Sequence, residues 1–274
     1  MNLRQWADDV AVEAVTPDGA NLKGWMRGSS SRTLLLVSGL GGSAAFWRAA
    51  SAALARDLQV LRFDQRGIGH STRGTAECTI RTLAEDCLTM LDAAGIERCV
   101  VLGHSTGGCI AQTLTCVAPD RFEGAILSGT WLKPGAYMQS LFDARRELLT
   151  VSPAAYAVNA TLISYPPDWL QKNMQVVAAS RANAPASAEA RAIVEQRIEA
   201  LLAFDGTEQA SQLQLPIQVF SARDDLVIPS FMQDELVAAL PQASLVNFRQ
   251  GGHFFPVSRH DAFVRKVRSW IKKL

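Results

Sequence analysis

The sequence predicts an α/β fold in which a mostly parallel central sheet is flanked by helices and carries an inserted helical cap. Three observations predict it: short apolar runs alternate with longer helix-like stretches up to about residue 130, the alternation stops until about residue 211, and it then resumes.

Thr33-Leu34-Leu35-Leu36-Val37 closes at Ser38-Gly39-Leu40-Gly41-Gly42, and Leu58-Gln59-Val60-Leu61-Arg62-Phe63 closes at Asp64. Cys99-Val100-Val101-Leu102 closes at Gly103, and Gly124-Ala125-Ile126-Leu127 closes at Ser128. A strand covered by helices on both faces has no polar side to show, so it reads as continuously apolar and not as an alternation. Between these runs, residues 43–56 are Ala-rich, residues 82–94 put Leu83, Cys87, Met90 and Leu91 on one helical face, and residues 108–118 are apolar almost throughout. Strand, helix, strand in that order implies right-handed crossovers onto one sheet. Through 130–211 the helical pattern recurs at 137–149, 169–183 and 187–204 without a strand-like run. Strands return at 217–220 and 244–248, and a last helix runs over 260–274. The expectation is one domain over 1–274 with a cap inserted at 130–211. No repeat or long Pro/Gly/Ser linker separates the two, so they should share an interface.

Composition narrows the function. With 274 residues, 48% hydrophobic and 19% charged, the chain can bury a large core. Lys and Arg total 27 against 26 Asp and Glu, a formal charge of +1, and no basic stripe occurs, so nucleic acid is not an expected partner. No apolar run approaches the roughly 18 residues that a membrane crossing needs. Met1-Asn2-Leu3-Arg4-Gln5-Trp6-Ala7-Asp8-Asp9 carries acids where a signal peptide would start basic, which points to the cytoplasm. Cys78, Cys87, Cys99, Cys109 and Cys116 are odd in number and lack C-x-x-C spacing, so they read as small core residues and not as a zinc or redox site. Neither a metal nor an organic cofactor is expected; a homodimer is left open.

The chemistry gathers at Gly103-His104-Ser105-Thr106-Gly107, a G-x-S-x-G sequence that follows a buried-strand run and opens a helix. A serine on that sharp turn is held above the sheet, and the N–H of Thr106 at the helix start faces the place where an oxyanion would form. A serine hydroxyl needs a base, and of four histidines His253 stands apart, in Gly251-Gly252-His253-Phe254-Phe255-Pro256 after the last strand-like run. His104 should point away from the serine, while His70 and His260 read as surface or capping residues. The base needs an acid, which Arg223-Asp224-Asp225-Leu226-Val227-Ile228-Pro229 supplies. Asp225 is preferred over its neighbour Asp224. The second oxyanion donor is expected at the N–H of Leu40 in the Ser38-to-Gly42 loop.

These motifs, in this order, resemble the α/β-hydrolase family over essentially the whole chain. Ser38-Gly39-Leu40-Gly41-Gly42-Ser43, Asp64-Gln65-Arg66-Gly67, Tyr165-Pro166-Pro167-Asp168-Trp169 and Asp224-Asp225-Leu226-Val227-Ile228-Pro229 are most similar to the aminoacrylate hydrolases of the pyrimidine-degrading Rut pathway, with enol-lactonases and carboxylesterases as further relatives. The resemblance implies a serine-dependent hydrolase of a small acyl compound, whether ester, lactone, amide or enamine-type C–N bond. The same triad also serves C–C bond hydrolases and cofactor-free oxygenases or haloperoxidases, and a ligand receptor on this fold is the reading from another class. In the cap, Trp131, Tyr137, Phe142, Tyr165 and Trp169 either line a pocket above Ser105 or glue cap to core. Arg145 and Arg146 either hold a substrate carboxylate or form a solvated face.

Overall fold

The computed structural model describes residues 8–274; most of the acidic start discussed above, residues 1–7, lies outside the described residues. The chain runs β1 (Val10–Val15), β2 (Asn21–Arg27), β3 (Thr33–Val37), α1 (Arg48–Leu54), β4 (Gln59–Asp64), α2 (Ile80–Ala93), β5 (Cys99–His104), α3 (Thr106–Val117) and β6 (Phe122–Ser128). Five helices follow, α4 (Ala136–Val151), α5 (Pro153–Ser164), α6 (Pro167–Lys172), α7 (Gln175–Ala182) and α8 (Ala188–Leu202). The chain closes with α9 (Thr207–Gln212), β7 (Ile217–Ala222), α10 (Ser230–Ala239), β8 (Ala243–Phe248), α11 (Phe255–Ser258) and α12 (His260–Ile271).

The eight strands form one sheet in the order β1-β2-β4-β3-β5-β6-β7-β8. β1 and β2 pair antiparallel, as do β2 and β4, and every other pairing is parallel. Every residue of β3, β5 and β7 is buried, the cause of their uninterrupted apolar runs. Side chains alternate between faces. Leu35, Val37, Val101, Leu127 and Val219 join α2 and α3 in one core, and Leu34, Leu36, Val100, Leu102, Ile126 and Phe220 join α1 and α12 in the other.

The structure departs from the sequence expectation at the sheet's first edge and in the insertion. β1 and β2 went unread because their residues alternate between buried and exposed and Gly24 interrupts β2. A Cβ there would lie 2.5 Å from the flexible end of Met90 on α2, 3.1 Å from Phe63 Cβ and 3.2 Å from Arg62 O, so a larger residue would need its neighbours to shift. The helix expected over 169–183 is broken at Asn173 into α6 and α7. α5 is started by Ser152, whose hydroxyl accepts the Ala155 N–H at 3.2 Å, with Pro153 at the first helical position. α9 packs on α3 and α10 with Ala210 in the core, so the chain has rejoined the core ahead of residue 211. Among the described residues no helix is long and apolar enough to cross a membrane.

Candidate active site

Ser105 is the single residue between β5 and α3, at φ 57 and ψ −126, and the only non-glycine with positive φ among the described residues. A side chain in that conformation costs about 1–3 kcal/mol and persists only where its surroundings over-determine it. Here they do. The Ser105 N–H donates to Ser128 O at 2.8 Å, and the neighbouring glycines leave the turn no slack. A Cβ on Gly103 would stand 1.9 Å from Gly107 O, and one on Gly107 would stand 2.3 Å from Val37 O. Because backbone and not a flexible side chain would have to yield, Gly107→Ala should destabilise by at least about 3 kcal/mol, the upper end of overpacking costs. Urea denaturation measures this, and near-wild-type stability would mean the elbow has room.

His253 follows β8 in a loop tied down from three sides. Asp224 accepts the N–H groups of Gly251 and Gly252 at 2.8 and 2.9 Å, Ser258 Oγ donates to Gly251 O at 2.6 Å, and the Phe254 N–H donates to Ser164 O at 2.8 Å. The imidazole Nδ1 lies 2.8 Å from Asp225 Oδ2, and Asp225 Oδ1 accepts the N–H groups of Val227 and Ile228, each at 2.8 Å. A carboxylate only accepts, so Nδ1 donates and Nε2 is left as the basic atom. Asp225 is thus bonded to the imidazole and Asp224 to the loop backbone. Ser105, His253 and Asp225 are 8%, 3% and 3% exposed.

The Ser38-to-Gly42 loop lies against the serine: a Cβ on Gly39 would come 2.9 Å from Ser105 Cβ and 3.4 Å from its Oγ. Backbone can therefore approach where a side chain could not. The Thr106 N–H heads α3, where the first amides lack intrahelical acceptors and carry the positive end of the helix dipole. Leu40 and Thr106 thus supply candidate donors from two sides. Ser38 Oγ donates to Ser43 O at 2.8 Å, and Gln65, next to Asp64, donates its Nε2 to Ser38 O at 2.8 Å and its N–H to Gly42 O at 3.0 Å.

His104 is packed into the site's wall. Its ring stacks on Phe46 at 5.2 Å, sits 4.9 Å from the His253 ring and has Nδ1 3.1 Å from Ser128 Oγ. Burial, reinforced by His253, pushes its pKa well below the usual imidazole value, so it stays neutral. His70 is exposed with Nδ1 3.1 Å from Asp64, and His260 opens α12. All five cysteines are free thiols, and burial pushes Cys99 up to about 12, which leaves it unreactive at neutral pH. Among the described residues no group of three or more His, Cys, Asp or Glu could hold a metal ion.

The cap residues divide. Trp131 has no exposed surface and belongs to the core, with its carbonyl accepting from Gln112 Nε2 at 3.1 Å, so it glues rather than lines. Trp169 stacks on Tyr165 at 4.5 Å, Tyr165 meets Phe254 edge-on at 5.2 Å, and Phe254 lies 5.4 Å from His253. Trp169 is therefore two rings removed from the imidazole, and Tyr165 and Phe254 stand closer. Arg145 is buried within the cap, 5.0 Å from the Phe142 and Tyr156 ring centroids, with Nη2 donating to Tyr156 Oη at 3.2 Å. The solvated face is thereby excluded for it.

Arg146 pairs with Glu195 at 2.7 Å and Glu199 at 3.3 Å and so ties α4 to α8 at the surface, an arrangement that favours the solvated-face alternative over the substrate anchor. Arg146→Ala should cost under about 1 kcal/mol, as exposed pairs do. It should affect a charged substrate and its neutral methyl ester equally in parallel kinetics; a loss selective for the charged one would restore the anchor. Two residues near the oxyanion loop carried no usable signal of their own. Gln65 lies within the Asp64-Gln65-Arg66-Gly67 motif, and Arg197, 1% exposed on α8, sits in an Ala/Glu/Arg-rich stretch that reads as a solvated helix.

The family model for the alpha/beta hydrolase fold matches residues 32–259. The chain is 34% identical over 231 residues to the putative carbamate hydrolase RutD of Azorhizobium caulinodans, covering 84% of this chain and 87% of that one. It is 36% identical to the protein of that name in Pseudomonas savastanoi pv. phaseolicola, covering 87% and 93%. Among solved structures, a hydrolase from Pseudomonas aeruginosa is similar at TM-score 0.82 and 28% identity over 95% of this chain and 98% of that one. The enol-lactonase from Burkholderia xenovorans LB400 is similar at TM-score 0.82 and 25% identity over 92% and 97%. Fold, elbow and relatives agree, and the chain belongs to the alpha/beta hydrolase fold family as a hydrolase of the RutD type.

Proposed function

We propose that the protein hydrolyses a small carbonyl compound through an acyl-enzyme on Ser105. Ser105 Oγ attacks the carbonyl carbon while His253 Nε2 takes its proton, and the N–H groups of Leu40 and Thr106 hold the resulting oxyanion. His253 then hands the proton to the departing oxygen or nitrogen, and water, activated by the same Nε2, releases the acyl group. Asp225 keeps the imidazole in the reactive tautomer and steadies it once charged. The observation that carries this reading is an elbow-borne serine at positive φ in a chain whose buried His253 has its Nδ1 2.8 Å from a buried carboxylate. The named relatives are putative carbamate hydrolases, and that likeness supports a small carbamate-like substrate within the wider class of esters, lactones and amides.

A fluorophosphonate probe tests the reading directly. Intact-mass and peptide mapping should find one adduct, on Ser105, in folded protein. Incubation with aminoacrylate, carbamates, lactones and simple esters, followed by mass, should then identify the bond cleaved. Absence of an adduct on folded protein would favour a ligand-binding role for the same site.

A further inference from the structure

Arg197 reaches out of α8 and places a fully buried guanidinium behind the oxyanion loop. Its Nε donates to Leu40 O at 2.6 Å, its Nη2 donates to Gly39 O at 3.2 Å, and Nη2 also reaches Gln65 Oε1. Gln65 in turn holds Ser38 O through Nε2 and Gly42 O through its own N–H. Three carbonyls in a five-residue loop are thus gripped by two side chains, one of them from the inserted helices, and a fourth by the Gln65 main chain. Among the described residues Arg197 forms no ion pair with a carboxylate, only the longer-range attraction of Asp86 acts on it, and its Nη1 is buried without an acceptor. A buried charge without an ion-pair partner is a costly way to fill space, since an apolar side chain of the same length would pack without the desolvation penalty.

Peptide geometry says what the grip accomplishes. In a trans peptide the C=O and N–H point in opposite directions, and no cis bond occurs among the described residues. The carbonyl of Gly39 and the amide of Leu40 share one peptide plane. With that carbonyl held by Arg197, the Leu40 N–H is turned the other way, in a loop whose Gly39 lies so near the serine that a Cβ on it would come 2.9 Å from Ser105 Cβ. A cation donating to that carbonyl also polarises the peptide and sharpens its N–H as a donor. We propose that Arg197 is a positioning residue of the oxyanion site, through which the inserted helices aim the Leu40 N–H at the anion formed on Ser105.

The inference rests on the serine-hydrolase reading above, and the test separates the two. Arg197→Met, Arg197→Lys, Gln65→Met and the Arg197→Met/Gln65→Met double variant are compared with wild type for fluorophosphonate inactivation, phenylboronic acid binding and urea denaturation. Phenylboronic acid forms a tetrahedral boronate anion on the serine, and the fluorophosphonate passes through an anionic five-coordinate phosphorus and expels fluoride, so each puts a charged oxygen at the oxyanion donors. Arg197→Met should lower kinact about 10- to 100-fold, less than outright loss of an oxyanion donor, while KI stays within about twofold. Boronate affinity should fall by a similar factor, and Arg197→Lys, which keeps the charge but not the two-pronged hold, should recover only part of the loss. Gln65→Met should act in the same direction, and the double variant should be little worse than the poorer single one, because both act through one loop. If the Arg197 variants do not fold, Gln65→Met carries the same expectation alone. A merely structural role would move the denaturation midpoint and leave kinact unchanged in folded protein, which overturns the proposal. A loss confined to KI would also overturn it, by making Arg197 a binding group. Wild type that takes up no label would overturn the serine-hydrolase reading and this inference together.

Discussion

Ser105→Ala is expected to lower turnover by about 10³ to 10⁶ while leaving the fold intact, because nucleophile and base act as a unit and neither substitutes for the other. The stability half of the expectation follows from the backbone. The strain at φ 57 comes from having a Cβ at all, and alanine keeps the Cβ, the N–H bond to Ser128 O and the start of α3 unchanged. Ser105→Gly makes the same point from the other side. It should be equally inactive yet more stable by about 1 kcal/mol, since glycine occupies the left-handed region without a Cβ penalty. The elbow then stores strain for function, the usual direction of a stability–activity trade-off. Single-turnover rates on the substrate identified by mass, alongside denaturation midpoints, decide it. More than about a tenth of wild-type activity in the alanine variant would rule out Ser105 as the covalent nucleophile.

What could be read from the sequence, and what could not, divides along a physical line. Strands buried on both faces announce themselves, and β3 was bounded to the residue because Thr33 to Val37 is apolar on both sides of the sheet. β1 and β2 face solvent on one side, and their period-two pattern was too short to separate from loop. The elbow was legible because Gly103 is demanded by the Gly107 carbonyl of the same turn, a constraint that sequence spacing records, while Gly107 itself is held small by Val37 O on β3. The clamp behind the oxyanion loop was not. It joins Leu40 to Arg197 across 157 residues, and nothing in an arginine among alanines and glutamates tells a buried guanidinium from a solvated one. The Arg145–Arg146 pair shows the same limit in reverse. Adjacent helical residues point in directions about 100° apart. One is accordingly buried against Tyr156 while its neighbour pairs with glutamates at the surface.

The second large effect separates two neighbouring acids. Asp225→Asn should reduce turnover on the order of 10⁴, the scale of loss when an amide imposes the wrong imidazole tautomer, whereas Asp224→Asn should reduce it tenfold at most, the factor that corresponds to about 1.4 kcal/mol. The local hydrogen bonds leave an asparagine at position 225 no good orientation. With its carbonyl toward the N–H groups of Val227 and Ile228, its NH₂ faces His253 Nδ1, which must then accept. The ring proton moves to Nε2, and the atom that should take the serine's proton already carries one. With the amide flipped, the NH₂ opposes two backbone donors, and both are left buried and unsatisfied at about 1–3 kcal/mol each. Asp224 is under no such constraint. An asparagine there keeps an oxygen for Gly251 and Gly252 and loses only the charge assistance, about 1 kcal/mol of loop stability. The measurement is turnover and denaturation on both variants side by side, and a costlier Asp224→Asn would exchange the roles of the two acids while leaving the nucleophile and base as they stand.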